Sequence, residues 1–210
     1  MYDLEEQEQI DALKAWWKAN GRLVVAVVIA GCVAAGAATA WQSYKRGKTG
    51  EAAQLYMGLE KAVRANDLKG IRETSGPLMD TYGSTPYAPM AALVAAKANY
   101  DAGDAASATA QLQWVVDHSR DEDTVAIARL RLAGVQLDQK KYDDALKLLD
   151  ASHAPAFDGL YADRKGDVYV AQDKKAEARA AYKQAIDKLP AEGSYRAVVE
   201  IKLDALGGAK

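Results

Sequence analysis

The stretch Gly166–Pro190, GDVYVAQDKKAEARAAYKQAIDKLP, decides how this chain folds. It reads as the end of one helix, a break at Gln172 to Lys174, and a second helix closed by Pro190. Proline ends a helix because it lacks an N–H and its ring clashes with the preceding turn. Gly166 and Ala178 stand where two paired helices come closest, and Tyr169 and Tyr182 are left to fill the space between one pair and the next. Such a pair cannot bury its apolar face alone, so the stretch requires neighbours of the same kind.

Those neighbours are present. Gly166, Tyr169, Ala178, Tyr182, Ala185 and Pro190 follow the order and spacing of the tetratricopeptide pattern G-x2-Y…A-x3-F…P, although its Trp and Leu positions hold Ala162 and Lys165. One unit earlier come Leu132-Ala133, Tyr142-Asp143, Ala145, Leu149 and Ser152. A weaker third unit has Ala96, Gly103-Asp104, Ala108, Leu112 and Val115. The alanines at 108, 145 and 178 are 37 and 33 residues apart, close to the repeat length of about 34.

Further breaks fall near Asn66-Asp67, Ser84 to Pro89, His118 to Thr124, Gln139 to Lys141, His153 to Phe157 and Pro190 to Ser194. They cut the chain into ordinary helix lengths, and no sustained β-branched alternation competes. The expected fold is all-α. Three tetratricopeptide-like repeats occupy 89–190, a linker and a divergent helical pair (Glu51 to Tyr82) occupy 42–88, and a capping helix (Tyr195 to Leu206) with a tail fills 191–210.

Towards the N-terminus lies Leu23–Trp41, LVVAVVIAGCVAAGAATAW, without a charge and with Thr39 as its only hydroxyl. As a helix it spans about 28 Å, close to the roughly 30 Å hydrocarbon core of a bilayer. Trp16, Trp17, Trp41 and Tyr44 flank it with rings suited to the headgroup region, and Arg22 and Lys45 can snorkel. Ala38-Thr39-Ala40 also fits a signal-peptidase site. The acidic leading segment and the long apolar run favour a retained transmembrane helix at 23–41 over a cleaved signal. A buried helix of a soluble protein fits poorly with aromatics at both flanks.

The small residues Ala26, Ala30, Ala34 and Ala38, with Gly31 and Ala35 beside them, form a face that admits close approach of a second helix. Small residues are also ordinary in membrane helices, so the alternative is composition alone. The arm, 1–22, has Ile10, Leu13 and Trp17 at helical spacing and reads either as a surface helix or as a solvated segment. Asn20-Gly21 reads as a break before the span, and Lys45-Arg46-Gly47-Lys48 as a basic stop and hinge after it.

Beyond the arm, basic and acidic residues balance, so no electrostatic drive towards nucleic acid exists. The only cysteine, Cys32, lies in the apolar stretch and leaves the redox compartment open. Lys14, Lys18 and Arg22 before the span match Lys45, Arg46 and Lys48 after it, so charge does not orient the chain.

No catalytic or cofactor-binding constellation emerges. His118 and His153 lack partners at ligand spacing, no glycine pair frames a nucleophilic serine, and there is no phosphate loop. Asp117, Ser119, Asp121 and Asp123 alternate like calcium ligands, but Glu122 replaces the turn glycine and Ala128 the closing glutamate. The better reading is a solvated connector in which Asp123 or Thr124 caps a helix starting near Ala126. Catalytic, metal and cofactor sites are therefore expected to be absent, as are small-molecule substrates.

The run Glu5-Glu6-Gln7-Glu8-Gln9-Ile10, then Leu13-Lys14-Ala15-Trp16-Trp17-Lys18-Ala19-Asn20-Gly21 directly before a single span, resembles the start of the YfgM family. Its members are ancillary subunits of the bacterial SecYEG translocon with a tetratricopeptide-like domain. The resemblance covers the full length and implies an inner-membrane protein of single-pass type II topology, with a cytoplasmic N-terminus and periplasmic repeats. It also implies partners: the SecYEG translocon and a membrane-anchored PpiD-type periplasmic chaperone. The implied function is a scaffold linking export to periplasmic chaperones, with an adaptor for another envelope assembly as the alternative.

In a tetratricopeptide array the first helix of each hairpin lines the concave face. Registering the units on their alanines puts Lys97, Tyr100 and Asp101, then Arg131 and Asp138, then Arg164 and Asp167 towards that groove. One aromatic among mixed charges suits a polar peptide or a folded partner's surface. The plain alternative is a set of solvated helix faces.

Overall fold

The computed structural model describes the backbone of residues 2–207 and the side chains of residues 7–207. The last three positions of the C-terminal tail, and the side chains of Glu5 and Glu6, lie outside the described residues. Among these residues every regular element is helical. In order they are α1 (Tyr2–Arg64), α2 (Leu68–Asp80), α3 (Tyr87–Asp101), α4 (Ala105–His118), α5 (Glu122–Asp138), α6 (Tyr142–Leu149), a 3-10 turn (Pro155–Phe157), α7 (Asp158–Ala171), α8 (Lys175–Lys188) and α9 (Ser194–Ala205). The chain forms two compact units, divided between Gly50 and Glu51.

In the first unit α1 carries one stretch long and apolar enough to cross a membrane, with none of it buried in protein. Both break signals in this unit are overridden. At Asn20 the side-chain amide donates to the Trp16 carbonyl at 3.1 Å, so it supports the helix instead of competing with it. Gly21 lies under the Trp17 indole, where a Cβ would meet ring atoms at 3.2 Å. One glycine costs a helix only about 1 kcal/mol. The basic run is also helical: the Thr49 hydroxyl donates to the Lys45 carbonyl at 2.9 Å. The Lys45 and Lys48 ammonium groups lie 5.4 Å from the ring centres of Trp41 and Tyr44, one helical turn back.

The second unit stacks helical hairpins. Each closes with the same turn, in which one residue adopts left-handed backbone: Asn66 (φ 50), Gly103 (φ 82), Lys140 (φ 60) and Asp173 (φ 58). The next residue sends its N–H back five positions: Asp67 to Ala62, Asp104 to Asn99, Lys141 to Gln136 and Lys174 to Tyr169, all at 2.8–2.9 Å. This bond satisfies a carbonyl that the helix end leaves open. The turns at 66, 103, 140 and 173 are separated by 37, 37 and 33 residues, so the pair formed by the end of α1 and α2 keeps the register of the three repeats.

Carboxylates cap two of the second helices, α2 and α4. Asp67 accepts from Gly70 N at 3.0 Å and Asp104 from Ser107 N at 3.0 Å. At the start of α5 the cap is Asp121, which accepts from Thr124 N at 2.9 Å. This corrects the expectation of Asp123 or Thr124. The helix starts four residues before Ala126, at Glu122, so those two residues lie within its first turn.

Alanine explains the stacking. The first helix of a hairpin is sandwiched and needs small residues on two faces. On α3, Ala91 and Ala95 pack with Leu59, Ile71 and Leu78, while Ala92 and Ala96 pack with Leu112, Val115 and Leu132. On α5, Ala128, Leu132 and Val135 share that second core, and Ala126 and Ala133 turn to Leu149, Tyr161 and Val168. Polar bonds tie the layers as well: Arg72 Nε donates to Asn99 Oδ1 at 2.7 Å, and buried Asn99 donates to Gln111 at 2.9 Å. The last helix, α9, closes the stack through Val199 and Leu203 against Ala178, Tyr182 and Ala185.

Candidate functional site

Stacking in register aligns the end of α1 with α3, α5 and α7 along one wall of the second unit. Six of the charged and aromatic residues selected from the sequence meet there. Lys97, Tyr100, Asp101, Arg131, Asp138 and Arg164 surround one open cavity of about 320 Å³, floored by Ala96, Leu112, Gly134 and Val135. Lys97 pairs with Asp101 at 2.6 Å, one helical turn away. The Tyr100 hydroxyl donates to Asp138 on the neighbouring hairpin, bridging α3 and α5. That hydrogen bond, helped by partial burial and the carboxylate charge, raises the Tyr100 pKa above the usual phenol value.

Arg131 is exposed and its Nη1 makes only a long bond, 3.4 Å, to the Leu93 carbonyl. Among the described residues no carboxylate pairs with it. Arg164 reaches Asp167 at 3.4 Å, and its buried Nε has no partner.

Asp167 is placed differently from the other six. It points into the closing network of the stack, accepting from Lys202 at 2.7 Å and from the Tyr182 hydroxyl at 2.9 Å. Burial, Asp167's charge and that hydrogen bond push the Tyr182 pKa far up. Beside it Lys202 donates to both oxygens of buried Asp163, at 2.8 and 3.0 Å, and the Tyr195 hydroxyl donates to Asp163 at 2.6 Å. These groups hold α9 on α7.

The wall also contains an apolar half that the charged set did not include. A wider groove of about 820 Å³ is lined by Tyr56, Val63, Leu68, Met90, Leu93, Val94 and Ile127 and ends at Lys97, Asp101 and Arg131. Met90 and Val63 remain 45% and 40% exposed, well above core values. Met90, Leu93, Val94 and Lys97 recur at helical spacing, so sequence alone assigns this stripe to the core. Only the third dimension shows that Met90 stays exposed and that Leu93 and Val94, though packed on the core, keep a half-buried edge towards the groove.

In the first unit Ala26, Ala30, Gly31, Ala34, Ala35 and Ala38 are all exposed on α1, with nothing within 4 Å of where a Gly31 Cβ would stand. Among the described residues no group of three or more His, Cys, Asp or Glu side chains converges as metal ligands would.

The tetratricopeptide repeat-like domain family matches residues 14–208. The ancillary SecYEG translocon subunit of Neisseria gonorrhoeae is 35% identical over 204 residues, covering 97% of this chain and 98% of that protein. This chain belongs to the family of ancillary SecYEG translocon subunits. Other ancillary SecYEG translocon subunits agree: that of Haemophilus influenzae is 29% identical over 88% of this chain and 90% of its own length. That of Escherichia coli is 28% identical over 86% and 87% respectively. The family consists of translocon accessory subunits with a repeat domain, a non-catalytic kind of protein. In this ancillary-subunit member the groove along α1, α3, α5 and α7 is therefore the natural candidate for contact with other proteins.

Proposed function

We propose that the chain is a membrane-tethered repeat scaffold, ancillary to the Sec translocon, that links protein export to periplasmic chaperones by protein–protein interaction. In this reading 1–22 is a cytoplasmic arm and 23–41 the retained span of a type II protein in the bacterial inner membrane. Residues 42–88 carry the linker and first helical pair, 89–190 the periplasmic repeats, and 191–210 the cap and tail. The partners are the translocon itself and a PpiD-type membrane-anchored chaperone.

The observation that carries the reading is the open groove of the repeat unit, with Tyr100, Arg131 and an apolar stripe accessible along one wall. Aromatic and arginine side chains tend to dominate interfaces, and a wall without a catalytic grouping has binding as its available chemistry. Family membership supplies the setting. The small-residue face of α1 is proposed as a second contact, made within the bilayer.

Isolation in mild detergent, followed by identification of what stays bound, tests the proposal. Translocon subunits and a membrane-anchored chaperone are the expected companions, and their absence would contradict it. Protease added to spheroplasts should digest residues beyond Gln42; protection of that region overturns the orientation. Replacing Ala30 and Ala34 together by Leu should weaken co-isolation while insertion persists. Unchanged association assigns the contact to the repeats alone.

A further inference from the structure

We infer that the groove takes a linear segment of a partner protein, bearing two or more bulky apolar side chains followed by a carboxylate that pairs with Arg131. The inference rests on the scaffold reading above and adds the chemistry of what the scaffold holds.

Two features of one continuous surface define that chemistry. The first is apolar: Val63, Met90, Leu93, Val94 and Ile127 come from α1, α3 and α5 and face a groove of about 820 Å³. This volume falls in the range of roughly 300–1,000 Å³ typical of sites that enclose a ligand, and it admits several side chains. Uncovered apolar area of this kind is stabilised by burial at roughly 25 cal/mol per Å².

The second feature is charge. Lys97, Asp101 and Arg131 line both this groove and the smaller cavity beside it, so they mark the junction of the two. Lys97 and Asp101 neutralise each other at 2.6 Å. Among the described residues Arg131 makes no ion pair, and its Nη1 reaches only the Leu93 carbonyl, at 3.4 Å. Its guanidinium has donors to spare, in the fork geometry that accepts a carboxylate through two parallel bonds. A wall that ends in an unpaired arginine favours an anionic residue and disfavours a basic one.

The order of the features sets the order of the segment. Val63, Met90, Leu93 and Val94 place most apolar contacts on α1 and α3, and Ile127 carries them onto α5, where the carboxylate falls at Arg131 one turn further on. Beyond it, in the second cavity, the neutral Tyr100 hydroxyl donates to the Asp138 carboxylate, which keeps its negative charge and so marks the limit of the region that favours an acid.

The test screens random twelve-residue peptides, displayed on phage, against the full chain in mild detergent. Enriched peptides are expected to carry at least two bulky apolar residues and an Asp or Glu on one side of them. Arg131→Glu should weaken them about tenfold and restore binding to versions with Lys in place of the acid. Met90→Asp should weaken them whatever their charge. Both positions are exposed, and an unchanged melting temperature confirms that the variants fold. Failure to enrich any peptide, enrichment of basic peptides, or indifference to both substitutions overturns the inference. The screen is independent of translocon co-isolation. Peptide binding without translocon association would refute the scaffold reading and leave the groove chemistry standing, and the reverse result would do the opposite.

Discussion

Lys202 on α9 places its ammonium between both carboxylate oxygens of Asp163 on α7, at 2.8 and 3.0 Å, and the Asp163 side chain is only 1% exposed. Lys202 also reaches Asp167 at 2.7 Å and lies 5.7 Å from the centre of the Tyr182 ring. The terminal helix of the stack is thus fixed by a desolvated ion cluster as well as by Val199 and Leu203. A carboxylate so deeply buried persists because three hydrogen bonds, two from Lys202 and one from Tyr195, compensate for lost water.

Removing the lysine therefore leaves a buried charge without its counter-ion. Lys202→Met should destabilise the repeat unit by about 3 kcal/mol, the low end for a broken buried pair because the lysine itself is partly exposed. Hydrogen exchange of the Val199 and Leu203 amides should accelerate before that of α3. Equal protection in the variant and the parent would show that α9 is held by apolar packing alone.

Gly166 marks the closest helix contact in the last hairpin. A Cβ there would overlap ring carbons of Tyr182, which is itself fixed by its bond to Asp167 at 2.9 Å. The ring cannot swing away without breaking that bond. Gly166→Ala should cost about 1–3 kcal/mol through overpacking, despite the better helix propensity of alanine. A urea-unfolding midpoint at or above that of the parent would contradict the packing argument.

Two cap carboxylates contribute to the acid limb of stability. Backbone and side-chain bonds from Ser107, with the charge of Arg72, hold Asp104 below the usual carboxylate range. Bonds from the Thr124 hydroxyl and N–H do the same for Asp121. A carboxyl group depressed in the folded state adds stability above its unfolded value of about 3.9. That stability disappears as pH falls through the lower, folded value. Asp104→Asn keeps an acceptor at the cap and removes the titration, so its melting temperature should fall less steeply as pH drops below about 4. Parallel acid limbs for the two proteins would show that Asp104 does not titrate with unfolding.

The alanine spacing made the fold legible, because the closest helix contacts require small residues at fixed intervals. The first hairpin escaped that reading for a physical reason. Counting back 37 residues, the shift between the turns at Asn66 and Gly103, Ala108 corresponds to Ile71, Leu112 to Ser75 and Val115 to Leu78. All three positions are buried, yet two hold residues outside the pattern. The left-handed turn residues are Asn, Gly, Lys and Asp, so glycine alone does not signal them. At Asn20-Gly21 the local break signal lost to strong helix formers on either side and to the Trp16 and Trp17 contacts.

The charged half of the groove could be named because polar residues on a first helix have no place in the core. The apolar half could not, since nothing in the sequence separates exposed Met90 from Leu93 and Val94, which pack on the core and only edge the groove. Asp167 shows the converse. It has the spacing of a groove residue, but Lys202 and Tyr182 draw it into the closing network.

In the proposed function the wall of α1, α3, α5 and α7 docks proteins of the export machinery. A photo-crosslinking amino acid placed at Met90, which is 45% exposed in the groove, tests it in intact cells. The control position is Lys183, exposed on α8 in the outer layer of the stack. Adducts with a translocon subunit or a membrane-anchored chaperone are expected from Met90 and none from Lys183. Adducts from Lys183 with Met90 silent would contradict that function and move the docking surface to the opposite face.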